Sequence, residues 1–214
     1  MTDAGAFSAA RKSALARSIA RIAHGIAIPA IRTILLFGLF AVAAVVVSIA
    51  GAPGTIGLLG AALALLMLTI AVIDWRRFVI PNALTAAGLA LALVHGAAQE
   101  PDAMVRAVAM AAMRGAALAL VFLAIRNAYA RIRGREGLGL GDVKLAAVAG
   151  AWLDWSMMPI AIEIAAMAAL SVYVLRQFAI GRPICATSRL PFGLFFAPAI
   201  WVGWFLETTL LAPF

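Results

Sequence analysis

Charge is scarce in this sequence. Only 12% of its 214 residues are Asp, Glu, Lys or Arg, whereas 65% are hydrophobic. A soluble domain of this length needs a polar exterior that such a composition cannot supply, so a water-soluble globule is excluded. Cysteine occurs once, as Cys185, which excludes an intramolecular disulfide and a CxxC zinc pair. Histidine occurs twice, as His24 and His95, in separate segments without ligand spacing. No metal site and no cofactor is therefore expected. Seventeen basic residues stand against nine acidic ones, a formal charge of +8. No basic stripe is interleaved with aromatics, so the excess does not point to nucleic acid.

What the chain has in abundance is apolar runs near 20 residues, each able to cross a hydrocarbon core about 30 Å thick. Lipid offers no partner to an unpaired backbone group, so these runs are expected to be helices. The fold class is all-α: a polytopic membrane helical bundle. Residues 1–32 carry Arg11, Lys12, Arg17, Arg21 and Arg32, with Leu15, Ile19, Ile22 and Ile26 at helical spacing. They read as a basic amphipathic segment lying on an anionic membrane surface rather than as a signal peptide. Residues 33–54 form a first transmembrane span closed by the turn Gly51-Ala52-Pro53-Gly54. Residues 55–214 hold six more spans, beginning near Thr55, Ala83, Ala103, Asp142, Met158 and Pro191. The segment from Arg126 to Gly141 is expected to be a polar loop, and Trp75, Trp152, Trp155, Trp201 and Trp204 suit interfacial belts.

Orientation follows from the basic residues. With a cytoplasmic N-terminus, alternating crossings place Arg76-Arg77, the Arg126–Arg135 segment, and Arg176, Arg182 and Arg189 on the inside. The outer loops then hold Glu100, Asp102 and Asp154 without a lysine or arginine. The positive-inside rule is satisfied at every turn, as expected of a multi-pass membrane protein with a cytoplasmic N-terminus.

With so few acids, each placement carries weight. Asp74 ends the second span at the cytoplasmic level, where a helix macrodipole disfavours negative charge, so helix stability does not explain it. Asp142 follows Gly139-Leu140-Gly141 at the start of a span, and a helix N-cap accounts for it as readily as chemistry does. Both fall at one membrane depth. Two carboxylates at one depth are the minimum for aspartic hydrolysis, in which like charges close together retain one proton between them. The ionised member activates water while the protonated member hydrogen-bonds the scissile carbonyl.

Three sequence elements then align. Asp74-Trp75-Arg76-Arg77-Phe78-Val79-Ile80-Pro81-Asn82 resembles the first aspartate motif of type IV prepilin peptidases. Gly137-Leu138-Gly139-Leu140-Gly141-Asp142-Val143-Lys144-Leu145 resembles their second, GxGD-type motif. Leu190-Pro191-Phe192-Gly193-Leu194 is similar to the Pro-Phe-Gly element near the end of that family. The matched region runs from about Gly57 to Glu207, in the family's order.

The resemblance implies a six-helix peptidase core plus the additional N-terminal transmembrane helix. It implies that Asp74 and Asp142 are the catalytic pair, and that short basic leaders are cut from prepilins or pseudopilins at the cytoplasmic membrane face, without a metal. Pro81, Asn82, Gly139, Gly141, Lys144, Pro191, Phe192 and Gly193 become candidates for the motif scaffold or substrate groove. Family members that also methylate the new N-terminus commonly carry a cysteine-rich loop between their first spans. This chain has only the short turn at Gly51–Gly54 there, the compact form expected of a peptidase without methyltransferase activity.

Rival readings are a GxGD protease cutting other helices within the bilayer, and an ion-coupled transporter using the aspartates as proton sites. Lys144 either snorkels to water or acts on the dyad or substrate, and Pro191 is better explained as simply opening the last span than as part of a groove. Arg114 and Glu163 lie inside spans, where charges are usually paired, and are expected to pair with each other.

Overall fold

The computed structural model describes residues 35–135, 137–180 and 191–210. The basic segment 1–32 and Cys185 lie outside the described residues, as do Arg182 and Arg189. The chain divides into two compact units, Met1–Val42 and Ala43–Phe214. Among the described residues the first contributes only the opening turns of α1 (Leu35–Gly51).

The second unit contains the rest of α1 and six further helices. They are α2 (Gly54–Arg77), α3 (Asn82–Gln99), α4 (Met104–Arg133), α5 (Leu140–Trp152), α6 (Met157–Ile180) and α7 (Gly193–Leu210), with a 3-10 turn at Pro101–Ala103. No strand occurs among the described residues. Four segments, Gly54–Arg77, Pro101–Arg133, Met157–Leu175 and Gly193–Leu210, are long and apolar enough to cross a membrane. The protein is a helical membrane bundle.

Helix α5 sits at its centre. Eight of its thirteen residues are buried, and it packs on α3, α4 and α7, while α2 packs on α7 and α3, and α6 on α7. Lipid supplies no hydrophobic drive between helices, so association depends on close packing and small residues. The α4–α5 crossing shows this directly. A Cβ added to Gly150 would fall 2.5 Å from Arg114 O, and one on Gly115 would fall 2.7 Å from Ala147 O. Either substitution would force two backbones apart.

Several expectations need correction. Helix α4 runs on to Arg133 rather than ending near Ile125, so much of the anticipated loop is helical. Arg, Ala and Ile sustain a helix without a membrane around it, and the helix stops only at Gly134, whose left-handed φ of 64° forms the C-cap. Trp152 and Trp204, only 2% and 1% exposed, are core residues, not belt anchors. Their indole N–H groups donate to Gly88 O at 3.1 Å and His95 Nε2 at 3.2 Å. Trp201 donates to Ser48 Oγ at 2.9 Å. Trp75 and Trp155 are exposed, as a belt requires.

Arg114 does not pair with Glu163. Its Nη1 lies 2.8 Å from Asp154 Oδ1, and Glu163 is exposed on α6. Helix α5 ends at Trp152, and the turn after it brings Asp154 within reach of Arg114. Asp154 N–H in turn donates to Glu207 Oε2 at 3.3 Å. A small polar network thus closes the end of the bundle opposite Asp142.

Candidate active site

Asp74 lies in the last turn of α2 and is only 5% exposed. The helix continues for three residues beyond it and ends at Phe78, whose N–H donates to Asp74 O at 2.8 Å. Phe78 adopts φ 53°, the one positive φ of a non-glycine residue among those described. A bulky side chain in this conformation costs roughly 1–2 kcal/mol. This left-handed residue ends α2, and after Val79, Ile80 and Pro81 Asn82 opens α3.

The buried Asp74 carboxyl has a specific donor. The backbone N–H of Leu194, in the first turn of α7, reaches Asp74 Oδ2 at 3.0 Å. Gly193 makes this approach possible: a Cβ there would lie 2.8 Å from Asp74 Oδ2 and 2.9 Å from Ile80 Cδ1. The role of the third motif in this geometry is therefore backbone: it brings a bare peptide against the carboxyl. Phe192 is half-buried and its ring packs 5.3 Å from Phe196, which stacks 5.6 Å from Phe122 of α4. Pro191 accepts from Leu194 N–H at 3.3 Å, so this N–H is shared between a helix-start carbonyl and the carboxylate.

Asp142 does not occupy the N-cap of α5. Gly139 does, and Asp142 stands three residues inside, with its Oδ2 accepting from Gly139 N–H at 3.1 Å. This is the acidic arm of a capping box, and it leaves the second carboxylate oxygen without a capping duty. Asp142 is half-buried.

The remaining candidates fall around this pair. Gly141 packs against Ile80, whose Cβ, Cγ1 and Cδ1 would all lie 3.1–3.2 Å from a Cβ at position 141. Lys144 Nζ donates to Asn82 Oδ1 at 2.6 Å, tying the first turns of α3 and α5 together. Pro81 is the N-cap of α3 and accepts from Thr85 N–H at 3.2 Å. Arg126 Nε, donating to Leu138 O at 3.1 Å, fastens the strand-like approach to α5 onto α4. All three sequence elements thus converge at one end of the bundle. Sequence reasoning did not single out Ile80 or Leu194: one offers only an apolar side chain and the other only a backbone N–H. Among the described residues no three His, Cys, Asp or Glu side chains converge as a metal site would require.

Residues 61–174 match the model of the type IV leader peptidase family, a stretch that includes both Asp74 and Asp142. The chain belongs to that family. It is 31% identical over 170 residues to the prepilin leader peptidase/N-methyltransferase of Aeromonas salmonicida, a match covering 69% of this chain and 54% of the relative. It is 39% identical over 84 residues to the leader peptidase HopD of Escherichia coli, covering 39% of this chain and 54% of the relative. A prepilin leader peptidase/N-methyltransferase of Burkholderia pseudomallei is 41% identical over 88 residues, covering 41% of this chain and 28% of the relative. The chain spans about half the length of the first two of these relatives. No solved structure matches it.

Proposed function

We propose that the protein is a membrane aspartic endopeptidase that cleaves leader peptides from type IV prepilins or pseudopilins, with Asp74 and Asp142 as its catalytic pair. The observation that carries this reading is the meeting of the three motif segments, through the contacts of Ile80 with Gly141 and Gly193, at the end of the bundle that holds both aspartates. The two carboxyls come from the last turn of α2 and the first turn of α5, with Asp74 held by the peptide of a third helix. Family membership supports the same chemistry.

In this mechanism the pair holds one proton. The ionised carboxylate takes a proton from water as that water attacks the scissile carbonyl, and the protonated partner hydrogen-bonds the carbonyl oxygen. The two then exchange roles to protonate the leaving amine, so the dyad titrates as a unit and neither residue is permanently acid or base. The Leu194 N–H fixes the orientation of one carboxyl before substrate arrives.

The end of the bundle that carries the pair also carries Arg76, Arg77, Arg126, Arg131 and Arg133. The opposite end carries Glu100, Asp102, Asp154 and Glu207. Together with the positive-inside rule, this supports a cytoplasmic site in an inner membrane, with the N-terminus cytoplasmic. A basic leader would then approach from the cytoplasm while the apolar helix of the substrate lies in lipid. Placement at helix ends favours this over cleavage deep within the bilayer. The proposal covers cleavage alone and leaves aside the methyl transfer in the relatives' names.

The test is cleavage of a prepilin in membranes holding wild type, Asp74→Asn or Asp142→Asn. Cutting by wild type only, with all three proteins inserted equally, is the expected result. Cutting that survives in either variant would remove that aspartate from the mechanism.

A further inference from the structure

One apolar side chain touches the supports of both carboxyls. Ile80 is 8% exposed and lies between the strained Phe78 and the N-cap Pro81. The residue before a proline is confined to extended backbone, and a β-branched side chain has few χ1 rotamers, so Ile80 points in a preset direction. Its δ-methyl would meet a Cβ at Gly141 at 3.2 Å and a Cβ at Gly193 at 2.9 Å. Gly141 is bonded to Asp142, and Gly193 precedes the Leu194 N–H that holds Asp74. The same methyl thus abuts the peptide carrying one aspartate and the peptide restraining the other.

We propose that Ile80 is a positioning residue: a rigid apolar spacer, wedged between Gly141 and Gly193, that sets the separation of the Asp74 and Asp142 carboxyls. The proposal rests on the peptidase reading above. Two carboxyls must grip one water and one carbonyl, so their spacing governs turnover more than substrate affinity. An error near 1 Å in such a constellation costs on the order of 100-fold in rate. Glycine at 141 and 193 is then the counterpart of isoleucine at 80: the spacer occupies the volume that side chains at those positions would need.

The experiment is a volume exchange across this contact. Full-length Ile80→Val, Ile80→Ala, Gly141→Ala and the double variant Ile80→Ala/Gly141→Ala are compared with wild type for prepilin cleavage, separating kcat from KM. Asp142→Asn is included as the inactive control. Ile80→Ala and Gly141→Ala are each expected to lower kcat roughly 10- to 100-fold with KM within about threefold. Ile80→Val should lie between them and wild type. The double variant, in which one side gains the methyl that the other makes room for, should turn over at least about tenfold faster than the product of the single losses predicts.

Wild-type kcat in Ile80→Val and Ile80→Ala would overturn the spacer, as would strict multiplicativity in the double variant. In either case loss of cutting in Asp142→Asn would leave the peptidase reading intact. Undiminished cutting by Asp142→Asn would overturn the dyad and the spacer with it. Should Ile80→Ala insert poorly, the kcat of Ile80→Val decides.

Discussion

Leu194 N–H donates to Asp74 Oδ2 at 3.0 Å across 120 positions of sequence. A backbone donor cannot rotate away as a side chain can, so the carboxyl is aimed by the fold itself. The approach depends on the absence of a side chain one residue earlier, at Gly193.

Replacing Gly193 by alanine is expected to push the Asp74 carboxyl off this donor, because the new methyl would lie 2.8 Å from Oδ2 and 3.1 Å from Cγ. We expect kcat to fall about 10- to 100-fold and stability to fall by about 1–3 kcal/mol from overpacking. Cleavage kinetics and thermal unfolding in detergent check the two separately. Turnover at the wild-type rate would mean that the carboxyl moves freely.

At Asp142 the choice of substitution separates two roles. Asparagine keeps an oxygen for the Gly139 N–H, whereas alanine removes it. Asp142→Ala is therefore expected to be about 1 kcal/mol less stable than Asp142→Asn, with both inactive. Equal melting temperatures would remove the capping role.

Asp154→Ala strands the Arg114 guanidinium, which is 16% exposed and whose buried Nε already has no acceptor among the described residues. Breaking a fully buried pair costs about 3–5 kcal/mol, but the Asp154 side chain is 59% exposed. The expected loss is accordingly about 1–2 kcal/mol. Glu163→Gln should change stability by less than about 0.5 kcal/mol. A larger effect at Glu163 than at Asp154, in the same unfolding assay, would reverse this assignment.

Lys144 and Asn82 join the first turns of α5 and α3 at 2.6 Å. A double-mutant cycle of Lys144→Met and Asn82→Ala, read by unfolding, is expected to show a coupling of about 1 kcal/mol. Independent effects would leave Lys144 as a solvated cation.

The family was legible because titratable groups are rare in this chain and the motifs around Asp74 and Asp142 stand out against an apolar background. The helical class was legible for the same reason: apolar runs of membrane length admit few other structures. Asp142 as a third-position residue rather than a cap was not legible, since a Gly-Leu-Gly run gives no sign of which residue turns first. Glu163 was a mistaken partner for Arg114 because both lie in apolar runs, whereas the pairing depends on where the turn after the short α5 places Asp154. The continuation of α4 to Arg133 was hidden because a change in polarity marks the edge of a membrane, not the end of a helix. Ile80 and Leu194 stayed invisible because their contributions are shape and backbone, which composition does not record.

Helix α5 has a further consequence. Its thirteen residues rise only about 20 Å, with Asp142 near one end and Asp154 and Glu207 at the other. From Leu145 through Leu153 the chain carries no titratable side chain, and Leu145, Ala146, Val148 and Leu153 are fully buried. The middle of α5 thus sets an apolar, buried stretch between the polar groups at its two ends.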